Sequence, residues 1–314
     1  MVKLKSLHLE NYCGYRDTLL DFTNSDGSTK NLSCFYGPNG CGKSSLLEAI
    51  YTVSSAQRYY DKDTSLIFRK KTYHPDYNPA ITEYEVEYAQ KSSFATEEYK
   101  DKLFESLETM RLTAIFETDE GDKRVIIETN GVVENKLPDR MMSYCYYIDA
   151  DHPLNTQKFQ LPVGYEERFI SMAKVMYGYD CHFGKKVQDM GGSEDYYTDF
   201  IIQKPCGTKI HYKSMSGGEK KLATLLRHLC NPLYIDSFDI LVIDNIEKEV
   251  YMTRHAPMIE KFLEVFPEKQ FLIATHSPIL VGMNDPTRNI VVNPYLPKES
   301  LYPIEELKVK QISV

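Results

Sequence analysis

Apolar and polar positions alternate at the start of the chain. In "LKSLHLENY" nearly every second residue is apolar, the period of a strand with one buried face, and "TLLDFTN" is expected to pair back onto it. "SDGSTK" is a turn, and "NLSCFYG" is a short apolar strand running into a glycine loop. "KSSLLEAIYTVSSAQR" then has helical spacing. Further on, "ITEYEVEYAQ" alternates as a strand and "ATEEYKDKLFESLETM" reads as an amphipathic helix. "RLTAIFETDEGDKRVIIETNG" predicts a hairpin turning at Asp119, Glu120 and Gly121. "MSYCYYIDA" is a buried strand, "GYEERFISMAKVMYG" a helix, and "YYTDFIIQ" with "TKIHYKS" a second hairpin. "SGGEKKLATLLRHLCN" opens a helix from a Ser-Gly-Gly start. "FDILVIDNIE" and "QFLIATHSP" are continuous apolar runs with polar exits, the signature of buried parallel strands, and "HAPMIEKFLEVFP" is a helix between them.

Composition narrows the setting. The formal charge of −8 argues against a generally basic nucleic-acid coat, although a local basic patch remains open. The seven cysteines are scattered without a CxxC pair, so they read as reduced thiols in a cytoplasmic protein. The N-terminus lacks an apolar signal core, and no apolar run reaches about 18 residues, so no membrane partner is expected.

The chemistry gathers at "GPNGCGKSS", which fits the spacing GxxxxGK[ST] at Gly37, Gly42, Lys43 and Ser44. Glycines let successive backbone N–H groups of Asn39, Gly40, Cys41 and Gly42 turn toward phosphate oxygens, and the helix from Lys43 through Ser44 and Ser45 presents its positive end. Lys43 would reach the outer phosphates and Ser44 would ligate Mg²⁺. In "ILVIDN" a strand ends at Asp244, a second oxygen ligand for the same ion.

Two further stretches set the class. "SMSGGEKK", with Ser216, Gly217, Gly218 and Glu219, resembles the signature motif of ABC-type ATPases, and "ATHSP" resembles their switch-histidine strand exit at His276. The opening "LHLENYCGYRDTLLDF" is similar to the DNA-linked branch of that superfamily, the SMC, RecF and OLD-like proteins of DNA repair and phage defence. The resemblance implies an α/β P-loop ABC-ATPase fold, with a mixed or parallel core sheet, an antiparallel β lobe and a helical signature lobe. It implies one domain over residues 1–314, with an antiparallel elaboration at 56–141, the signature lobe at 151–232 and the Asp244 and His276 part of the core at 233–314. It also implies ATP and Mg²⁺ as cofactors. The partner is a second copy, in a homodimer or higher even oligomer, whose Ser216 to Glu219 segment caps ATP in trans.

Departures from the pattern matter. SMC-type heptads are absent, and about 38 residues follow His276, too few for the Toprim nuclease of OLD proteins, so a separate effector such as a nuclease or toxin is expected. The arginine of the family's Asn-Phe-Arg falls at Cys13, which leaves Arg16 as the candidate nucleotide contact. Relatives place a general-base Glu where this chain has Asn245, and an amide cannot take a proton from water at neutral pH. Either hydrolysis is slow, or the amide is an introduced change that traps the ATP state. Glu247 is the backup if the segment is extended, since residues two apart then share a face. Gln157 and Gln160 are candidates for the γ-phosphate glutamine. Asp149, Asp151 and His152 read as turn and surface groups in preference to a metal cluster. Arg69, Lys70 and Lys71 form the main basic cluster, with pairs at Lys185 and Lys186 and at Lys220 and Lys221, readable as DNA contacts or as a solvated face. Three functions stay open: a DNA-sensing or DNA-clamping ATPase that controls an effector, an ATP-gated scaffold without DNA, and a transporter ATPase.

Overall fold

A computed structural model describes residues 1–59, 95–99, 109–138, 144–149, 159–188, 195–231, 237–278, 280 and 289–291. The expected strand "ITEYEVEYAQ", most of the helix "ATEEYKDKLFESLETM", and Arg69, Lys70, Lys71, Asp151, His152 and Gln157 lie outside them.

In chain order, β1 (Val2–Tyr12) and β2 (Tyr15–Asp21) are followed by β3 (Leu32–Tyr36) and helix α1 (Lys43–Ser54). Then come β4 (Arg111–Thr118), β5 (Lys123–Glu128), β6 (Gly131–Asn135), β7 (Cys145–Asp149) and β8 (Leu161–Pro162). Helix α2 (Glu166–Tyr177) precedes β9 (Asp180–Phe183), β10 (Lys186–Gln188), β11 (Asp195–Tyr197), β12 (Phe200–Gln203) and β13 (Lys209–His211). Helix α3 (Gly217–Cys230), β14 (Ile240–Asp244), helix α4 (His255–Val265), β15 (Gln270–Thr275) and β16 (Asn289–Val291) complete the order.

Two compact units emerge. The first holds the described residues of 1–30 and 37–145 and is built on an antiparallel sheet ordered β2-β1-β4-β5-β6. The alternation in β1 buries Leu4, Leu7 and Leu9 on one face, with a register shift between Leu4 and Ser6. The predicted hairpin forms between β4 and β5, where Gly121 takes φ 95° and its N–H donates to Thr118 O. A left-handed corner of that kind suits glycine. Helix α1 packs against β4 and β5, burying Leu46, Leu47, Ile50 and Val53. Each such side chain contributes about 1.5–3 kcal/mol by leaving water.

The second unit holds the described residues of 31–36 and 146–290. Its main sheet is ordered β16-β3-β15-β14-β7, with β3, β15 and β14 parallel. β14 and β15 are buried at every residue, as the continuous apolar runs require. Phe271 stacks on Phe262 of α4 at 5.6 Å, and Phe159, Phe169 and Phe200 form an aromatic cluster in the same core. The register aligns the strand exits: Tyr36 pairs with Thr275, and Asp244 with Ala274.

The hairpin expected from "YYTDFIIQ" and "TKIHYKS" is only half of what forms. β12 does pair with β13, but Tyr196 and Tyr197 belong to β11, in a different sheet ordered β10-β11-β8. Asp199 makes the break: its carboxylate accepts from Tyr212 N and contacts His211 Nδ1, so the chain turns a corner there. Tyr196 and Tyr197 on one side of Thr198 and Asp199, and Phe200 to Ile202 on the other, conceal that corner in the sequence. Among the described residues, the stretch carrying α2 and α3 thus also holds the short strands β8 to β13.

Candidate nucleotide site

In the first unit, the loop from Gly37 to Gly42 leaves β3 and enters α1. Gly40 and Gly42 adopt φ 76° and 93°, the left-handed region that lets consecutive N–H groups converge. Gly42 is the N-cap of α1; no side chain caps the helix and its first turn holds no acidic residue. First-turn N–H groups have no intrahelical acceptor, so an uncapped, acid-free helix start suits an anion. Lys43 is 5% exposed, and its Nζ donates to Gly37 O at 2.8 Å and Pro38 O at 3.0 Å. Loop carbonyls therefore hold the ammonium beside the grip. Asn39, Gly40 and Ser44 are exposed, Ser45 is half-buried and Cys41 is buried, with Sγ 3.7 Å from Lys43 Nζ.

Arg16 is exposed, and the adjacent Tyr15 is the residue that reaches the loop: its O–H donates to Gly42 O at 2.9 Å. The family pattern places an arginine at this turn, whereas the residue that meets the loop here is the phenol one position before Arg16.

In the second unit, Asp244 is buried at the end of β14, and the Tyr147 hydroxyl of β7 lies 3.5 Å from its Oδ2. Asn245 follows with φ 54° and ψ 37°, and its N–H donates to Ala274 O. Residues Ile246–Glu249 then form a 3-10 turn. The extended geometry behind the same-face argument for Glu247 is therefore absent. A different contact takes its place: Glu247 Oε1 accepts the His276 backbone N–H at 2.6 Å, and its Oε2 is buried without a hydrogen-bond partner among the described residues. A carboxylate two residues past Asn245 thus sits against the histidine loop.

That loop is tied down further. His255 Nε2 lies 2.9 Å from Val250 O and Nδ1 lies 2.7 Å from Ser277 Oγ. A carbonyl only accepts, so Nε2 carries a proton, and in the neutral ring Nδ1 then accepts from the Ser277 hydroxyl. His276 is half-buried between these anchors.

Ser216 is exposed and N-caps α3 through a capping box: its Oγ accepts from Glu219 N, and Glu219 Oε2 accepts from Ser216 N at 2.8 Å. Gly217 is exposed and Gly218 half-buried. The Tyr177 hydroxyl donates to Glu219 O at 2.6 Å, and burial raises its pKa well above the usual phenol value, keeping it a donor. Gln160 is exposed just before β8. Lys185 and Lys186 are exposed, and Lys186 pairs with Asp195 at 2.8 Å. All seven cysteines are free thiols. Among the described residues no helix is long and apolar enough to cross a membrane, and no His, Cys, Asp and Glu group has a metal-binding arrangement of its own.

Three comparisons bear on this arrangement. The AAA ATPase domain family matches residues 2–169. The fold is similar to the SMC head domain from Thermotoga maritima, with a TM-score of 0.53 and 17% identity, covering 90% of this chain and 92% of that one. It is also similar to the Smc head domain bound to the C-terminal domain of ScpA derived from Pyrococcus furiosus, with a TM-score of 0.53 and 11% identity over 90% and 91% of the two chains. The retron Ec83 probable ATPase of Escherichia coli is 41% identical over 49 residues, which span 16% of this chain and 8% of that protein's length. The fold is therefore that of a P-loop head of the SMC type, with parallel and antiparallel sheets.

Proposed function

The chain belongs to the AAA ATPase domain family, and from that premise we propose that it is an ATP-driven, dimerising ATPase with slow turnover that controls a separate effector. The observation that carries this reading is the shared edge of the parallel sheet. Tyr36, where the glycine loop begins, Asp244 and Thr275 all end strands there in matched register. Ligands of open α/β sheets bind outside the carboxyl ends of such strands.

In this reading the α1 start and Lys43 hold the phosphates, and Lys43 exchanges its two carbonyl partners for phosphate oxygens. The Ser44 hydroxyl and Asp244 carboxylate, both hard oxygen donors, suit Mg²⁺. That ion, when bound, supplies charge neutralisation to the outer phosphates. Asn245 orients water without accepting its proton. Glu247, already against the His276 loop, is the carboxylate that can take the proton. The second copy's Ser216, Gly217 and Gly218 face the same phosphates; the α3 capping box engages the Ser216 and Glu219 N–H groups, so in this reading the Gly217 and Gly218 N–H groups are the donors.

The likeness to a retron ATPase supports the ATPase reading, and association with a retron belongs to the same proposal. A head of the same fold bound to another protein supports a separate effector. DNA is the proposed trigger, its contacts assigned to Arg69, Lys70 and Lys71; binding that weakens steeply between two salt concentrations checks this.

The core of the proposal is tested by titrating ATP with magnesium into the parent chain and into Lys43→Ala. The parent is expected to bind, and the variant to lose at least tenfold in affinity, since it lacks a charge-assisted contact to phosphate. A parent that does not bind sinks the reading.

A further inference from the structure

We propose that Tyr15 is a positioning residue of the phosphate grip, acting through the Gly42 carbonyl. The inference rests on the ATP reading above and deepens it.

Three observations converge within the first unit. The Tyr15 hydroxyl donates to Gly42 O at 2.9 Å, and the same carbonyl accepts the Leu46 N–H at 2.9 Å. A Cβ placed on Gly42 would lie 3.1 Å from the Tyr15 hydroxyl, so the ring lies directly against the glycine. Tyr15 is itself 3% exposed, held by pairing with Tyr12 across the β1–β2 turn.

The turn is shaped for this delivery. Asn11 and Cys13 take φ 51° and 50°, left-handed conformations that L side chains rarely adopt. Asn11 Nδ2 donates to Thr109 O at 3.2 Å, which anchors the turn to the chain entering β4. The short reversal sets Tyr15 inward and Arg16 outward, because successive strand residues face opposite sides.

Peptide planarity turns this contact into a functional one. Gly42 C=O and Lys43 N–H belong to one trans peptide and point in opposite directions. Two donors on the carbonyl fix that plane, and the plane fixes where the Lys43 N–H points. One of those donors is intrinsic to any helix start. The other is Tyr15, which comes from a distant part of the chain. Losing it frees the peptide to tilt and blurs the aim of an N–H that grips phosphate. Tyr15→Phe removes only the hydroxyl, and the Gly42 carbonyl keeps its Leu46 donor.

Calorimetric titration of ATP and ADP into the full chain, its Y15F variant and a Y12F control tests this. Y15F is expected to weaken both nucleotides by a similar factor, about fivefold to tenfold, the usual effect of one neutral hydrogen bond. KM for ATP should rise with kcat unchanged, as loss of uniform binding predicts. Y12F, which changes the cross-strand partner of Tyr15 and leaves the Tyr15 hydroxyl in place, should stay within about twofold of the parent. Y15F within twofold of the parent overturns the inference. So does equal weakening by Y12F, or a Y15F loss accompanied by a matching fall in the unliganded melting temperature, since each indicates general loosening of the turn. A parent that binds neither nucleotide overturns the ATP reading and this inference together, whereas a binding parent matched by Y15F overturns the inference alone.

Discussion

Asn245 has a backbone reason to be an asparagine. Its left-handed conformation, φ 54° with ψ 37°, turns β14 into the 3-10 turn that carries Glu247. Asparagine enters that region at lower cost than most side chains with a Cβ. A glutamate there would gain a general base and accept some backbone strain. Asn245→Glu is expected to raise the rate of phosphate release at least tenfold, within the range of general-base contributions. Glu247→Gln should lower it, because the amide keeps the hydrogen bond from His276 N but cannot accept a proton. Phosphate release under single-turnover conditions reads both. An unchanged rate in Asn245→Glu would show that the amide does not limit hydrolysis.

At the scale of elements, α3 links the signature to the sheet. Its Ser216 end is closed by the capping box, a cap whose removal costs about 1 kcal/mol. Near its other end His228 Nδ1 lies 3.0 Å from the Tyr146 hydroxyl of β7, and Tyr146 stacks on Phe238 at 4.9 Å. Burial, with a smaller push from Arg227, lowers the His228 pKa from 6.5 to about 4. The folded pKa lies below the unfolded one, so between these values the unfolded chain binds more protons. Stability should therefore fall as pH drops from about 6.5 toward 4, and level off below. His228→Phe should flatten that part of the profile. Urea unfolding of parent and variant across the window checks it; parallel profiles would exclude His228 as the source.

At the scale of the whole molecule, the proposed trans arrangement makes a prediction that no single-chain mechanism shares. Lys43→Ala disables a phosphate grip, and Ser216→Trp blocks a signature. Each variant alone should be inactive. In a mixed head-to-tail dimer one site collects both defects and the other has none. An equimolar mixture should therefore regain about a quarter of parental turnover, from half the dimers with one intact site each. No recovery on mixing, with light scattering showing single chains in ATP and magnesium, would exclude the sandwich.

The glycine loop, the Ser-Gly-Gly helix start and the two apolar runs ending at Asp244 and Thr275 were legible because each is a local pattern whose chemistry depends on spacing. Strand burial in β14 and β15 was legible for the same reason: a run apolar on both faces has to be covered on both. The Asp199 corner was not, since strand-like residues lie on both sides of Thr198 and Asp199 and the partners of the Asp199 carboxylate, Tyr212 N and His211 Nδ1, lie farther along the chain.

By itself, then, the amino-acid order determined the long strands β1 to β5, β7, β14 and β15, the glycine loop between β3 and α1, and the carboxylate that ends a core strand. All of these follow from periodicity and backbone permissiveness within a few residues. Tertiary structure alone decided that Tyr15 rather than Arg16 meets Gly42, that Glu247 meets the His276 backbone, and that Asn245 sits left-handed instead of extended. Those outcomes depend on how strands separated by tens or hundreds of residues register and turn against one another, and a shift of one residue in a strand exchanges the face on which each side chain acts.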